Sequence, residues 1–288
     1  MKWFDYAAPQ SVAEAVALLA EHGERARVLA GGTDLLVQMR AGTRQAGLIV
    51  DAKNIPELTQ ISWDPSSGLT LGAAAPCYRI AGDTRVREAY PSLVEVASLI
   101  GGTQIQGRAS IGGNLCNAAP SADAVPLLIA LGATCRIVGH GGERTVAVED
   151  FCTAPGRNVL ERGELLLSLH FPAPRPRQGT RYLRFIPRNE MDIAVAGAGV
   201  SVVLNDGHFE SARVALAAVA PTPLFVREAG DSLAGQPVSG ETIARAAAIA
   251  RQAAQPIDDM RGTIDYRKHL CEVLTRRALT DAVERAKK

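Results

Sequence analysis

Paired glycines mark two segments whose residue types could bind an anion: Ala30-Gly31-Gly32-Thr33-Asp34 and Ser110-Ile111-Gly112-Gly113-Asn114. Glycine takes φ > 0 without steric cost and lets the backbone approach a ligand closely. Successive amide N–H groups can then converge on one negative charge without a lysine. Thr33, Ser110 and Asn114 add hydroxyl and amide donors beside those amides. The chemistry this suits is the grip of a diphosphate between two jaws, with a carboxylate such as Asp123 free to accept from a ribose hydroxyl. A side chain at Gly32 or Gly113 is then expected to project into the phosphate space. The G-x-G-x-x-G spacing of a Rossmann site is absent.

The jaws need elements to aim them. Ser11-Val12-Ala13-Glu14 reads as a capping box opening a helix that Gly23 closes, with Val12, Ala15, Val16 and Leu19 on one stripe. Arg27 to Ala30 reads as a strand, and Leu35, Leu36 and Met39 give residues 33–40 helical spacing. The first jaw is thus strand, turn, helix, with the positive end of the helix toward the turn. Strands are expected at 48–50 and 69–71, and a helix over 92–100 ending at Gly101-Gly102. The second jaw therefore follows a helix and draws its donors from a loop, and the next helix is expected from Pro120 to Leu131.

Three prolines at alternate positions, Pro172, Pro174 and Pro176, forbid regular helix or a central strand. They divide the chain into an expected first domain, residues 1–174, and a second, residues 178–288. In the second, apolar runs flank Asn205-Asp206-Gly207, a hairpin signal, and residues 241–254 and 266–287 read as helices.

Composition narrows the partners. Lys+Arg 31 against Asp+Glu 30 leaves a formal net charge of +1, so no global field favours nucleic acid or an anionic membrane. No apolar stretch has the length to cross a bilayer, and Asp5 interrupts the place where a secretion signal needs an apolar core. A cytoplasmic protein is expected. Five cysteines without a C-x-x-C pair argue against a disulfide framework, a zinc site or an iron–sulfur cluster within this chain. The histidines lack triad or metal-ligand spacing, so no catalytic acid–base residue and no metal ligand is assigned.

The residues Leu29-Ala30-Gly31-Gly32-Thr33-Asp34-Leu35, the run from Gln104 through Ser110-Ile111-Gly112-Gly113-Asn114 to Asp123, and Arg188-Asn189-Glu190-Met191-Asp192-Ile193-Ala194 occur in this order. Together they resemble the FAD-binding medium subunit of the molybdenum hydroxylases, the carbon monoxide dehydrogenase and xanthine dehydrogenase family. The resemblance covers essentially the whole chain. It implies an α+β protein: a two-subdomain FAD-binding domain of the vanillyl-alcohol-oxidase type, then a smaller α+β domain with antiparallel strands and helices. By position it assigns Ala30 to Asp34 and Ile111 to Asn114 to the FAD pyrophosphate, with Ser110 beside them and Asp123 as a further polar contact. Asp192 and Ile193 are placed near the isoalloxazine, and Leu166 at a position that packs close to the flavin. Arg184 falls where several relatives carry lysine, and its cation could stabilise negative charge on a reduced flavin.

The resemblance further implies an FAD-dependent oxidoreductase subunit, part of a heterotrimer. A small subunit with two [2Fe-2S] clusters would feed electrons through FAD to an external acceptor such as NAD, a quinone or oxygen. Oxidation of the organic substrate would fall to a large subunit carrying the molybdenum cofactor. The alternative is a stand-alone flavin oxidoreductase acting on its own small substrate, which needs a positioned base that the sequence does not display.

Overall fold

In the computed structural model, which describes all 288 residues, β3 (Leu48–Asp51) sits between β1 (Asp5–Ala7) and β2 (Ala26–Leu29), parallel to both. α1 (Val12–His22) precedes β2, and α2 (Leu35–Ala41) joins β2 to β3. The capping box forms as read. Ser11 Oγ accepts from Glu14 N at 3.3 Å, Glu14 Oε2 accepts from Gln10 N at 2.8 Å, and Gly23 ends the helix at φ 53°.

After α3 (Pro56–Thr59), an antiparallel five-stranded sheet follows, in the order β4-β5-β10-β6-β7. Its strands are β4 (Ile61–Asp64), β5 (Gly68–Gly72), β6 (Thr134–Gly139), β7 (Gly142–Ala147) and β10 (Leu165–Phe171). The small pair β8 (Cys152–Ala154) and β9 (Arg157–Asn158) precedes β10. Between β5 and β6 run six helices: α4 (Cys77–Gly82), α5 (Thr84–Ala89), α6 (Pro91–Ala97), α7 (Thr103–Gln106), α8 (Ile111–Asn117) and α9 (Ala124–Ala130). Leu71, Leu93, Ile111, Leu127 and Leu169, all fully buried, share one core with Val50 and Val16 of the first sheet layer.

The turn between β4 and β5 is wound on one carboxylate: Asp64 Oδ1 accepts from Ser66 N at 2.9 Å and Ser67 N at 2.8 Å, and from both serine hydroxyls. These bonds hold its carboxyl down at about 2. A depressed folded-state pKa means stabilisation that is present above the unfolded value, near 3.9, and lost as pH falls through about 2. Asp64→Asn is therefore expected to be less stable than the parent chain in urea denaturation at pH 5, with the difference gone by about pH 2.

The C-terminal part is a second antiparallel sheet, β11 (Gln178–Phe185), β12 (Ala196–Asn205), β13 (His208–Ala217) and β14 (Leu224–Phe225), in that order. It is covered by α10 (Arg227–Asp231), α11 (Gly240–Ala253) and α12 (Ile264–Ala286). Asp206 and Gly207 take φ 45° and 77°, the two positive values that a tight hairpin turn demands. Val200, Val202, Val214, Leu274 and Leu279 anchor its separate core. No helix is long and apolar enough to cross a membrane.

Two expectations need correction. The helix expected from Pro120 begins only at Ala124, because the Pro120 carbonyl is committed to Ala218 N at 2.8 Å and residues 120–123 turn instead. The second glycine pair lies in a helix, α8, not in a loop. Two glycines weaken a helix, but Ser110 Oγ caps it through Gly113 N at 3.0 Å, while Ile111 and Leu115 pin it by full burial.

Candidate functional site

A cleft of about 450 Å³ opens between the first sheet layer and the five-stranded sheet, and both glycine segments line it. Ala30, Gly31, Gly32, Thr33 and Asp34 come from the β2–α2 connection; Ser110, Gly112, Gly113 and Asn114 come from the start of α8; Leu166 comes from β10. Ile111 is the exception within its segment, turned into the core with 0% exposure.

The two jaws touch. A Cβ at Gly31 would stand 2.1 Å from the Arg108 carbonyl oxygen and 2.6 Å from its carbon, so only glycine lets the first turn seat against the chain entering α8. Gln38 Nε2 donates to Asn117 Oδ1 at 2.9 Å, tying α2 to α8 across the same cleft. Gly112 is equally constrained: a Cβ there would lie 2.4 Å from Ala73 O.

None of the five amides from Ala30 to Asp34 donates a hydrogen bond within the chain. Ala30 to Thr33 are half-buried, and half-buried backbone N–H groups ordinarily find an acceptor, so a run of them along a cleft wall calls for one from outside. Gly32 at φ 79° bends the run so that neighbouring amides can face the same way. Both α2 and α8 are only seven residues long, so these amides matter more than either helix dipole. The expectation that a Gly32 side chain would enter the phosphate space is corrected. Its Cβ would meet Leu29 Cδ1 at 2.8 Å, and the positive φ itself requires glycine. At Gly113 the only close neighbour of a Cβ is Ser110 Oγ, at 2.9 Å.

The charges around the cleft are uneven. Desolvation raises the Asp34 carboxyl above its ordinary value, and burial together with neighbouring Arg44 lowers Arg27. Burial pushes the Cys116 thiol, which also lines the cleft, up to about 12, and a thiol so protonated is a poor nucleophile.

Asp123 and Arg184 lie off the cleft lining and face each other. Arg184 Nη1 donates to Asp123 Oδ2 at 2.5 Å and the Tyr182 hydroxyl to Oδ1 at 2.8 Å, which occupies both carboxylate oxygens. Burial raises the Asp123 carboxyl, against the pull of Arg184 and Tyr182. Asn114 connects this pair to the cleft, since its Oδ1 accepts from Ala124 N at 3.3 Å. The segment holding Asp192 and Ile193 is also outside the lining. Asp192 Oδ1 accepts from Ile193 N at 2.8 Å, Ile193 is 49% exposed, and Met191 lies over Gly102.

Residues 2–174 match the family described as the FAD binding domain in molybdopterin dehydrogenase, and residues 181–282 match the CO dehydrogenase flavoprotein C-terminal domain. The chain belongs to the FAD-binding subunits of the molybdopterin dehydrogenases. It is 34% identical over 284 residues to the carbon monoxide dehydrogenase medium chain of Afipia carboxidovorans, covering 99% of this chain and 98% of that one. It is 32% identical over 288 residues to the xanthine dehydrogenase FAD-binding subunit of Escherichia coli O157:H7, covering 98% of each. Its fold matches a chain of reconstituted CO dehydrogenase from Oligotropha carboxidovorans with a TM-score of 0.94 at 34% identity, over 99% of both chains. Quinoline 2-oxidoreductase from Pseudomonas putida 86 gives 0.92 at 30% identity, over 100% of both.

As an FAD-dependent oxidoreductase subunit of this family, the chain presents a cleft whose donors suit the cofactor: the unpaired amides and the glycine-tight walls fit a diphosphate. Sequence reasoning missed several contributors. Gln38, Ala73, Arg27 and Arg44 line the cleft without any motif around them, and Asn117 lies within the Gln104 to Asp123 run without a role of its own assigned there. Asp51 had a usable signal, a lone acid ending an apolar strand, yet its partners Tyr6 and Lys53 become visible only in the fold.

Proposed function

We propose that this chain is the FAD-carrying electron-transfer subunit of a heterotrimeric molybdenum hydroxylase. In this reading it stands between the [2Fe-2S] clusters of a small subunit, in a complex with a molybdenum-cofactor large subunit, and an external acceptor such as NAD, a quinone or oxygen. The observation that carries it is the row of unpaired amides from Ala30 to Asp34 held against the start of α8 in one cleft. The names borne by the relatives, medium chain and FAD-binding subunit, support the division of labour.

Residues 1–174 form the FAD-binding domain and residues 178–288 the C-terminal domain. Ala30 to Asp34, Ser110 and Ile111 to Asn114 make the diphosphate grip, with Ile111 acting as its buried anchor. Leu166 packs along the cofactor from β10. Asp192 and Ile193 border the redox ring, and the Asp123–Arg184 pair sets the charge behind Asn114. When bound, FAD supplies a ring that exchanges electrons singly or in pairs. The protein's own work is to hold and orient it and to keep charge beside it. The site is a cytoplasmic one in this reading.

The test is purification of the chain alone and from cells expressing its partners. The expected result is about one FAD per chain and copurification with an iron–sulfur polypeptide and a molybdenum polypeptide. A colourless chain that takes up no FAD on incubation contradicts the proposal. Flavin content together with turnover of an alcohol or amine by the isolated chain would favour a stand-alone oxidoreductase instead.

A further inference from the structure

Behind the first jaw lies a charged cluster that the cofactor reading leaves without a task. Asp51, at the end of the central strand β3, is only 6% exposed. Its Oδ2 accepts from the Tyr6 hydroxyl at 2.6 Å, and its Oδ1 from Lys53 Nζ at 2.5 Å and Lys53 N at 3.0 Å. Burial opposes its ionisation, but these bonds win and hold the carboxyl below its ordinary value. Lys53 Nζ then reaches on to Ala30 O at 3.4 Å. One residue further, Arg108 Nε points to Gly31 O, also at 3.4 Å. Neither Asp51 nor Lys53 lines the cleft.

A peptide unit is planar and trans, so its carbonyl and its amide point in opposite directions. A cation holding the Ala30 carbonyl therefore fixes where the Gly31 N–H points, and Arg108 does the same for the Gly32 N–H. We infer that Tyr6, Asp51 and Lys53 form a strut that aims the first jaw's amides into the cleft, making them positioning residues for the diphosphate. This rests on the proposal that the jaw binds that diphosphate. Asp51 fixes Lys53, Lys53 fixes the peptide, and the peptide presents its donor ready-made, so little ordering remains when the anion arrives.

The probes are ADP and adenosine, which differ by the diphosphate, titrated calorimetrically into the full 288-residue chain freed of flavin. The parent chain is expected to prefer ADP. Lys53→Met, which removes the hold on Ala30, and Asp51→Asn, which keeps the Lys53 charge but loosens its anchor, are each expected to cut that preference about tenfold. Adenosine affinity should stay unchanged. Tyr6→Phe should cut the preference less, because Lys53 retains its main partner. A parent preference that survives intact in both Lys53→Met and Asp51→Asn overturns the strut while leaving the jaw standing. Equal loss of ADP and adenosine binding overturns it too, since that marks general disruption. A parent chain without any preference for ADP overturns the diphosphate grip and the strut with it.

Discussion

Gly31→Ala is expected to lower FAD affinity at least about 100-fold, nearly 3 kcal/mol. The added methyl carbon would stand 2.1 Å from the Arg108 carbonyl oxygen and 3.0 Å from Ala109 Cα, all backbone atoms that no rotamer change can move aside. The strain must part the two jaws, and overpacking of this kind costs about 1–3 kcal/mol even before ligand contacts are lost. Gly107→Ala is the matched control. Its Cβ would meet nothing closer than 3.9 Å and its φ is −62°, so flavin binding and melting temperature should stay near parent values. Fluorescence titration of FAD into both variants, with circular dichroism to follow the fold, makes the comparison. Parent-like affinity in Gly31→Ala would show that the jaws need not touch.

Arg184→Met is expected to destabilise the chain by about 3 kcal/mol in urea denaturation, because removing one partner of a buried pair strands the other charge. The Arg184 and Asp123 side chains are only 9% and 13% exposed. Asp123 comes just before α9 and Arg184 lies on β11, so the pair also clamps the C-terminal sheet to the region around the cleft. With the cation gone, desolvation acts on Asp123 with only Tyr182 to offset it, and its folded-state pKa climbs further. A folded pKa above the unfolded one makes the folded state bind more protons, so stability is greatest at low pH and falls as pH rises through the folded value. The variant should therefore lose stability more steeply than the parent as pH rises above the unfolded carboxyl value of about 3.9. Asp123→Leu with Arg184→Met together should recover much of the loss, since no charge is then buried alone. A loss under about 1 kcal/mol at pH 7.5 would contradict the clamp.

The glycine pairs stood out in the sequence because glycine is conspicuous wherever the backbone needs room, yet the reason each is glycine did not. Gly31 and Gly112 are fixed by backbone of residues 108 and 73, and Gly32 by its own φ; the first two are contacts across distances in sequence that no local pattern encodes. The capped helix α1 and the Asp206-Gly207 hairpin were legible, since cap and turn signals act within a few residues. The start of α8 is not legible as helix because Gly-Gly-Asn is poor helix sequence, and only the Ser110 cap and the burial of Ile111 and Leu115 make it helical. Taken singly, Asp123 and Arg184 each point toward the cofactor by their position in the sequence. That they pair with one another, 61 residues apart in sequence, is a fact of the fold alone.

If both jaws grip one diphosphate through main-chain amides, glycine-selective ¹⁵N spectra of the chain during ADP addition will show it most directly. The amide resonances of Gly31, Gly32 and Gly112 should shift together, saturate at one ADP per chain, and stay in place with adenosine, while Gly113, whose amide already donates to Ser110 Oγ, should shift less. Shifts confined to one glycine pair, or of equal size with adenosine, would contradict it.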